Sequence, residues 1–137
     1  MKLALCICPQ WSVQTPSFAI GSLKSHINNK DVVVEQIDLN ILSSIHTKEK
    51  NIEKFWDWGN DKPWNSEANF QTEILPYFKD LWHEYIDKLA EYDVVAFTTY
   101  TSNIVTTDYI ARYVKQKNPK IQIWYGGPYS WYSDCSG

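Results

Sequence analysis

From Leu3 to Cys8 the chain runs Leu-Ala-Leu-Cys-Ile-Cys without a polar interruption and stops at Pro9. A continuous apolar run of this length suits a strand covered on both faces, as in a parallel sheet, better than an alternating surface strand. A polar, turn-rich loop follows over residues 9–15. Pro16 then fits the first turn of a helix, in which Phe18, Ile20, Leu23 and Ile27 recur at roughly helical spacing until Asn28-Asn29. Residues 31–39, rich in valine and isoleucine, predict a second strand. Strand, helix and strand with short joints make a right-handed crossover unit, the start of a parallel sheet.

The pattern returns further on. Phe78, Leu81, Trp82, Tyr85, Ile86 and Leu89 form a helical stripe that leads into a third strand, Asp93-Val94-Val95-Ala96-Phe97-Thr98. Val105, Tyr109, Ile110 and Val114 predict a helix over residues 104–117, closed by Asn118-Pro119. Residues 121–125 are a fourth apolar strand ending at Gly126-Gly127-Pro128. The alternation predicts an α/β fold, a flavodoxin-like (Rossmann-like) doubly wound parallel sheet in the order 2-1-3-4. It stops after the fourth strand, and the chain is expected to be part of a longer polypeptide. A naturally short protein with a four-stranded sheet, or with a strand borrowed from another chain, is the other reading. In such sheets a ligand lies beyond the carboxyl ends of the strands, where the strand order reverses.

Residues 48–76 do not fit the alternation and are too long for an ordinary connection. They carry Phe55, Trp56, Trp58, Trp64 and Phe70, which suit either a small satellite core or a ligand lid or partner surface. With 137 residues, the chain is read as one domain, 1–137, containing this aromatic-rich insertion.

Composition narrows the classes of function. Hydrophobic residues at 44% and charged residues at 21% describe a chain that folds, and a net charge of −3 offers no general field for nucleic acid phosphates. Nucleic acid is not an expected partner. Cys6, Cys8 and Cys135 cannot all pair within the chain, and Cys6 and Cys8 are too close for an easy bridge, which points to a reducing compartment. The N-terminal apolar run is too short for a signal sequence or a membrane span, so the expected location is cytoplasmic. Neither a Gly-x-Gly-x-x-Gly turn nor a phosphate-binding Gly-x-x-x-x-Gly-Lys loop occurs, which disfavours NAD and ATP. A phosphoacceptor domain needs acidic residues where this chain has Cys8-Pro9-Gln10 and Thr98-Thr99.

Three loops are expected to meet at one sheet edge: residues 9–16, residues 98–103 and Gly126-Gly127-Pro128-Tyr129-Ser130. Their hydroxyls and amides can hydrogen-bond a large polar ligand without adding charge, and paired glycines let a backbone approach it closely. The same residues also fit a plainer purpose, in which residues 98–103 cap the next helix and the glycines turn the chain.

Taken together, the proline-led segment Pro16-Ser17-Phe18-Ala19-Ile20-Gly21-Ser22-Leu23-Lys24-Ser25-His26-Ile27, the strand end Asp38-Leu39-Asn40, the segment Asp93-Val94-Val95-Ala96-Phe97-Thr98-Thr99-Tyr100-Thr101-Ser102-Asn103, then Lys115-Gln116-Lys117-Asn118-Pro119 and Ile123-Trp124-Tyr125-Gly126-Gly127-Pro128 carry a resemblance. In order and spacing they resemble the N-terminal cobalamin (B12)-binding domain of B12-dependent radical SAM enzymes. The resemblance covers most of the chain outside the aromatic insertion. It implies that cobalamin is bound non-covalently through Gln10, Pro16, Thr98, Tyr100, Thr101, Ser102, Asn103, Gly126 and Gly127. The Asp-x-His-x-x-Gly motif by which some cobalamin domains offer histidine to cobalt is absent, and His26, His46 and His83 all fall outside the loop after the first strand.

No Cys-x-x-x-Cys-x-x-Cys segment occurs, and the three cysteines lack iron-sulfur or zinc spacing. The chain alone is therefore not expected to be catalytic. The resemblance places the [4Fe-4S] cluster and S-adenosylmethionine in a C-terminal radical SAM domain of the same polypeptide, with methyl transfer or related radical chemistry as the parent activity. The alternative is a degenerate α/β domain without cofactor, serving as a protein-interaction or structural module.

Overall fold

The computed structural model describes residues 1–11, 24, 30–50 and 62–127. Four strands, β1 (Lys2–Ile7), β2 (Val33–Asp38), β3 (Val94–Thr98) and β4 (Gln122–Gly126), pair in parallel in the order β2-β1-β3-β4. Leu3 of β1 lies opposite Val34 on one side and Val94 on the other, and Thr98 lies opposite Gly126. This is the doubly wound, flavodoxin-like sheet that the apolar runs predict. The two central strands are the two most apolar ones because only they have sheet neighbours on both sides.

Among the described residues three longer helices accompany the sheet: α1 (Leu39–Lys50), α2 (Leu75–Leu89) and α3 (Ile104–Lys117). The predicted helix from Pro16 lies outside the described residues, Lys24 excepted. α1 has no counterpart in the apolar pattern, because its buried face includes Ser43, Ser44 and Thr47. Ser43 Oγ donates to the Leu39 carbonyl at 2.7 Å and Thr47 Oγ1 to the Ser44 carbonyl at 2.6 Å, so these hydroxyls are hidden without loss of a partner. Asp38 Oδ1 accepts the Ile41 amide at 2.9 Å and opens the helix directly from the end of β2. The predicted insertion boundary at residue 48 thus falls inside a helix.

On one face of the sheet Ala4, Cys6, Val95 and Phe97 join Phe78, Trp82, Ile86 and Leu89 of α2 and Tyr109, Ile110 and Val114 of α3 in one core. Leu3, Leu5, Ile7 and Val94 form a smaller cluster on the other face. Trp64 and Phe70, from the expected insertion, are fully buried in the larger core. Phe70 stacks on Trp82 at 5.8 Å and Phe78 stacks on it at 5.0 Å. Their place is the main core, not a satellite of it; Phe55, Trp56 and Trp58 lie outside the described residues. A π-helical turn, Phe70–Ile74, leads into α2 and presents both Phe70 and Ile74 to that core. Among the described residues no helix is long and apolar enough to cross a membrane.

Candidate functional site

The chain leaves β1 toward β2 on one side and β3 toward β4 on the other, so the ends of β1 and β3 flank the point where the strand order reverses. The residues following these two strands are laced together. Ser102 Oγ donates to the Gln10 carbonyl at 2.6 Å, and the Gln10 amide reaches the Ser102 carbonyl at 3.4 Å. Asn103, fully buried, donates through Nδ2 to the carbonyls of Cys8 at 3.2 Å and Thr98 at 3.1 Å, while its Oδ1 accepts the Tyr100 amide at 2.7 Å. Its own carbonyl accepts the Thr107 amide at 2.9 Å and the Thr107 hydroxyl at 2.7 Å. One asparagine side chain therefore joins β1 to β3 and shapes the turn that leads into α3.

The third loop is tied in the same manner. Thr99 donates to the Gly126 carbonyl through both its amide and its hydroxyl, each at 2.7 Å. The adjacent glycines differ in what surrounds them. Gly127 has φ +97°, and a Cβ there would stand 2.8 Å from the Thr99 carbonyl oxygen, so the turn itself requires glycine. Among the described residues, a Cβ at Gly126 would meet no atom within 4 Å. The Gly126 backbone is thereby left accessible, as a ligand that closely approaches a backbone requires.

The expected residues Gln10, Thr98, Tyr100, Thr101, Ser102, Asn103, Gly126 and Gly127 are thus distributed over the carboxyl ends of β1, β3 and β4. Asn103 and Ser102 face their neighbouring loops through the bonds above, Thr98 is buried, and Thr101 is exposed. Pro16 lies outside the described residues. Sequence reasoning did not single out Trp11, Asn40 or Thr99. Trp11 stacks on Tyr100 with centroids 3.9 Å apart and planes 11° from parallel. Asn40, buried at the start of α1, accepts the Trp11 amide at 2.9 Å and donates to its carbonyl at 3.1 Å. The only local hint was the amide side chain two residues after Asp38.

The edge is built chiefly from neutral groups. The hydrogen bond with Cys8, and then burial, push the Cys6 thiol well above its usual range, so it is held as a thiol. No group of three or more metal-ligating side chains occurs among the described residues. Neither described histidine serves these loops: His46 Nε2 lies 3.0 Å from the Tyr77 carbonyl and His83 Nε2 lies 2.7 Å from the Tyr109 hydroxyl. His26 lies outside the described residues. The fold is that of a doubly wound α/β domain, and the loops at its switch in strand order are the candidate site. No family model, curated protein or solved structure matches the chain.

Proposed function

We propose that this chain is a cobalamin-binding domain whose parent polypeptide carries a radical SAM domain, and that it holds cobalamin at the carboxyl ends of β1, β3 and β4. The observation that carries this reading is the exposed Gly126, with no described atom within 4 Å of a Cβ placed there, at the same carboxyl edge as the uncharged residues 98–103. Cobalamin's periphery is rich in neutral amides, and amide ligands are recognised by hydrogen bonds to hydroxyls and backbone groups without the cost of desolvating a charge. Bound there, cobalamin would supply methyl-transfer or related radical chemistry when joined to a [4Fe-4S] cluster and S-adenosylmethionine held by a C-terminal domain. This chain's own residues bind and orient: Thr101, Tyr100 and Gly126 face the ligand, while Asn103, Ser102 and Thr99 keep the loops in register. The thiols Cys6 and Cys8, unpaired with each other, suit a cytoplasmic setting.

A second reading draws on the same hydrogen bonds. Asn103, Ser102 and Thr99 are already engaged within the protein, which favours a domain that has lost its cofactor and serves as an interaction or structural module. Titration with hydroxocobalamin, followed by visible absorbance, separates the two. Saturable binding that weakens in Gly126→Val supports the cobalamin site, since the added side chain fills open space without disturbing the turn. Absence of binding overturns the reading in favour of the module, and binding unaffected by Gly126→Val overturns the location.

A further inference from the structure

Away from the loop edge, a line of oxidisable rings runs from the core to the surface. Ring centroids are 6.5 Å apart for Trp64 and Trp82, 6.3 Å for Trp82 and Tyr109, and 4.8 Å for Tyr109 and Tyr113. Trp64 and Trp82 are fully buried and Tyr109 is 3% exposed, whereas Tyr113 is 37% exposed. Hydrophobic packing alone would be met by phenylalanine at position 109. Instead the Tyr109 hydroxyl lies 2.7 Å from His83 Nε2, and the His83 ring packs edge-on against both Tyr109 and Tyr113.

This pairing has a chemical use. A phenol that loses an electron becomes strongly acidic, and a buried phenol cannot release its proton to water. A hydrogen-bonded, half-buried imidazole can take that proton and pass it to solvent. Burial also pushes the Tyr109 phenol up to about 12, so the resting group is neutral and carries the proton to be transferred. Trp82 differs: its Nε1–H donates to the Ser43 hydroxyl at 2.9 Å, a poor base, so an oxidised Trp82 retains its proton and remains a strong oxidant of Tyr109.

We propose that Trp64, Trp82, Tyr109 and Tyr113, with His83 as proton acceptor at Tyr109, form a relay that carries a one-electron oxidation from the core to the protein surface. An oxidising radical removes one electron from Trp82 and is itself reduced. Tyr109 returns one electron to the Trp82 radical cation as its phenolic proton passes to His83 Nε2, leaving intact Trp82, a neutral Tyr109 phenoxyl and an imidazolium. Tyr113 then gives a hydrogen atom to the Tyr109 phenoxyl, and the imidazolium releases its proton to water. The net change is one electron gained by the oxidant and one proton released, with a phenoxyl at Tyr113 that a thiol-class reductant can quench by donating a hydrogen atom. The relay does not depend on cobalamin binding.

The test is laser photoionisation of tryptophan in the full chain with nitrate as electron scavenger. A Trp11→Phe background removes the stacked Trp11–Tyr100 pair as a competing route. The relay predicts a first-order phase, independent of protein concentration, in which tryptophanyl absorbance decays as tyrosyl absorbance rises. Tyr109→Phe, which keeps the ring packing, should abolish that phase. His83→Phe, which removes only the proton acceptor, should slow it and diminish its solvent deuterium isotope effect. Circular dichroism confirms that each variant is folded, and the His83 variant decides the matter if Tyr109→Phe is not. A phase unchanged in rate and amplitude in the folded variants overturns the proposal.

Discussion

The two ends of the same four strands are held together by different chemistry. At the amino end the ties involve charges: the Met1 ammonium donates to the Asp31 carbonyl at 2.9 Å, the Lys2 amide donates to Asp93 Oδ2 at 2.7 Å, and the Tyr92 hydroxyl donates to Glu35. Beside them an open groove of about 260 Å³ is bordered by Met1, Asn118, Lys120, Gln122 and Trp124. At the carboxyl end the Asp38 carboxylate opens α1 from the end of β2, but the ties between the loops after β1, β3 and β4 are amide, hydroxyl and backbone, centred on Asn103, Thr99 and Ser102. A charge can hold a rim that water bathes, because it keeps most of its hydration there. A site that must close over a large neutral ligand is better built from groups whose desolvation is cheaper. The contrast therefore favours the carboxyl end as the place for an amide-rich ligand.

Substitutions at the two ends can break or sharpen this contrast. The largest effect is expected for Gly127→Val, in which a left-handed backbone and a 2.8 Å approach to Thr99 should destabilise the fold by about 3 kcal/mol in urea unfolding. Asn103→Ala leaves the Cys8 and Thr98 carbonyls and the Tyr100 amide without their side-chain partner, at a cost of about 2 kcal/mol by the same measurement. At the amino end, Tyr92→Phe removes one partly exposed bond to Glu35 and should cost only about 1 kcal/mol. Gly126→Val should change stability by under about 0.5 kcal/mol, since its added atoms enter open space. A cost for Gly126→Val equal to that of Gly127→Val would contradict the distinction between the two glycines.

Alkaline pH adds a further check on the amino end. Burial first, then the bond to Glu35, pushes the Tyr92 phenol from 10.0 up to about 12. A folded-state value raised above the unfolded one means that the contribution is complete below pH 10 and is lost as pH rises toward 12, because the unfolded phenol ionises first. Stability measured across this window should fall less steeply in Tyr92→Phe than in the native chain. Tyr109, raised in the same direction, retains part of the slope in both.

Strand order and direction were legible because β1 and β3 are unbroken apolar runs and because the stripes of α2 and α3 keep helical spacing. The helix α1 was not legible, since serine and threonine occupy its buried face and satisfy themselves on its own carbonyls. Trp64 and Phe70 read as an insertion because Trp64 sits on a helix of only four residues, Lys62–Asn65, too short to show a period, and the π-helical turn that carries Phe70 matches neither strand nor α-helix spacing. The loop composition at the carboxyl edge was also readable, but its division of labour was not. Asn103 and Ser102 look alike in sequence as ligand contacts, yet both bridge loops whose proximity exists only once β1 and β3 are paired. Trp11 and Tyr100 meet for the same reason, and no spacing rule within one segment signals their stack.

Amide hydrogen exchange with and without excess hydroxocobalamin tests the proposed cobalamin site most directly, because it reads both ends of the sheet in one experiment. The account predicts slower exchange at Gln10, over residues 98–103 and at Gly126 and Gly127, with no change at Tyr92, Lys120 or Trp124. Unaltered exchange at the carboxyl edge, or protection confined to the groove beside Trp124, would contradict it.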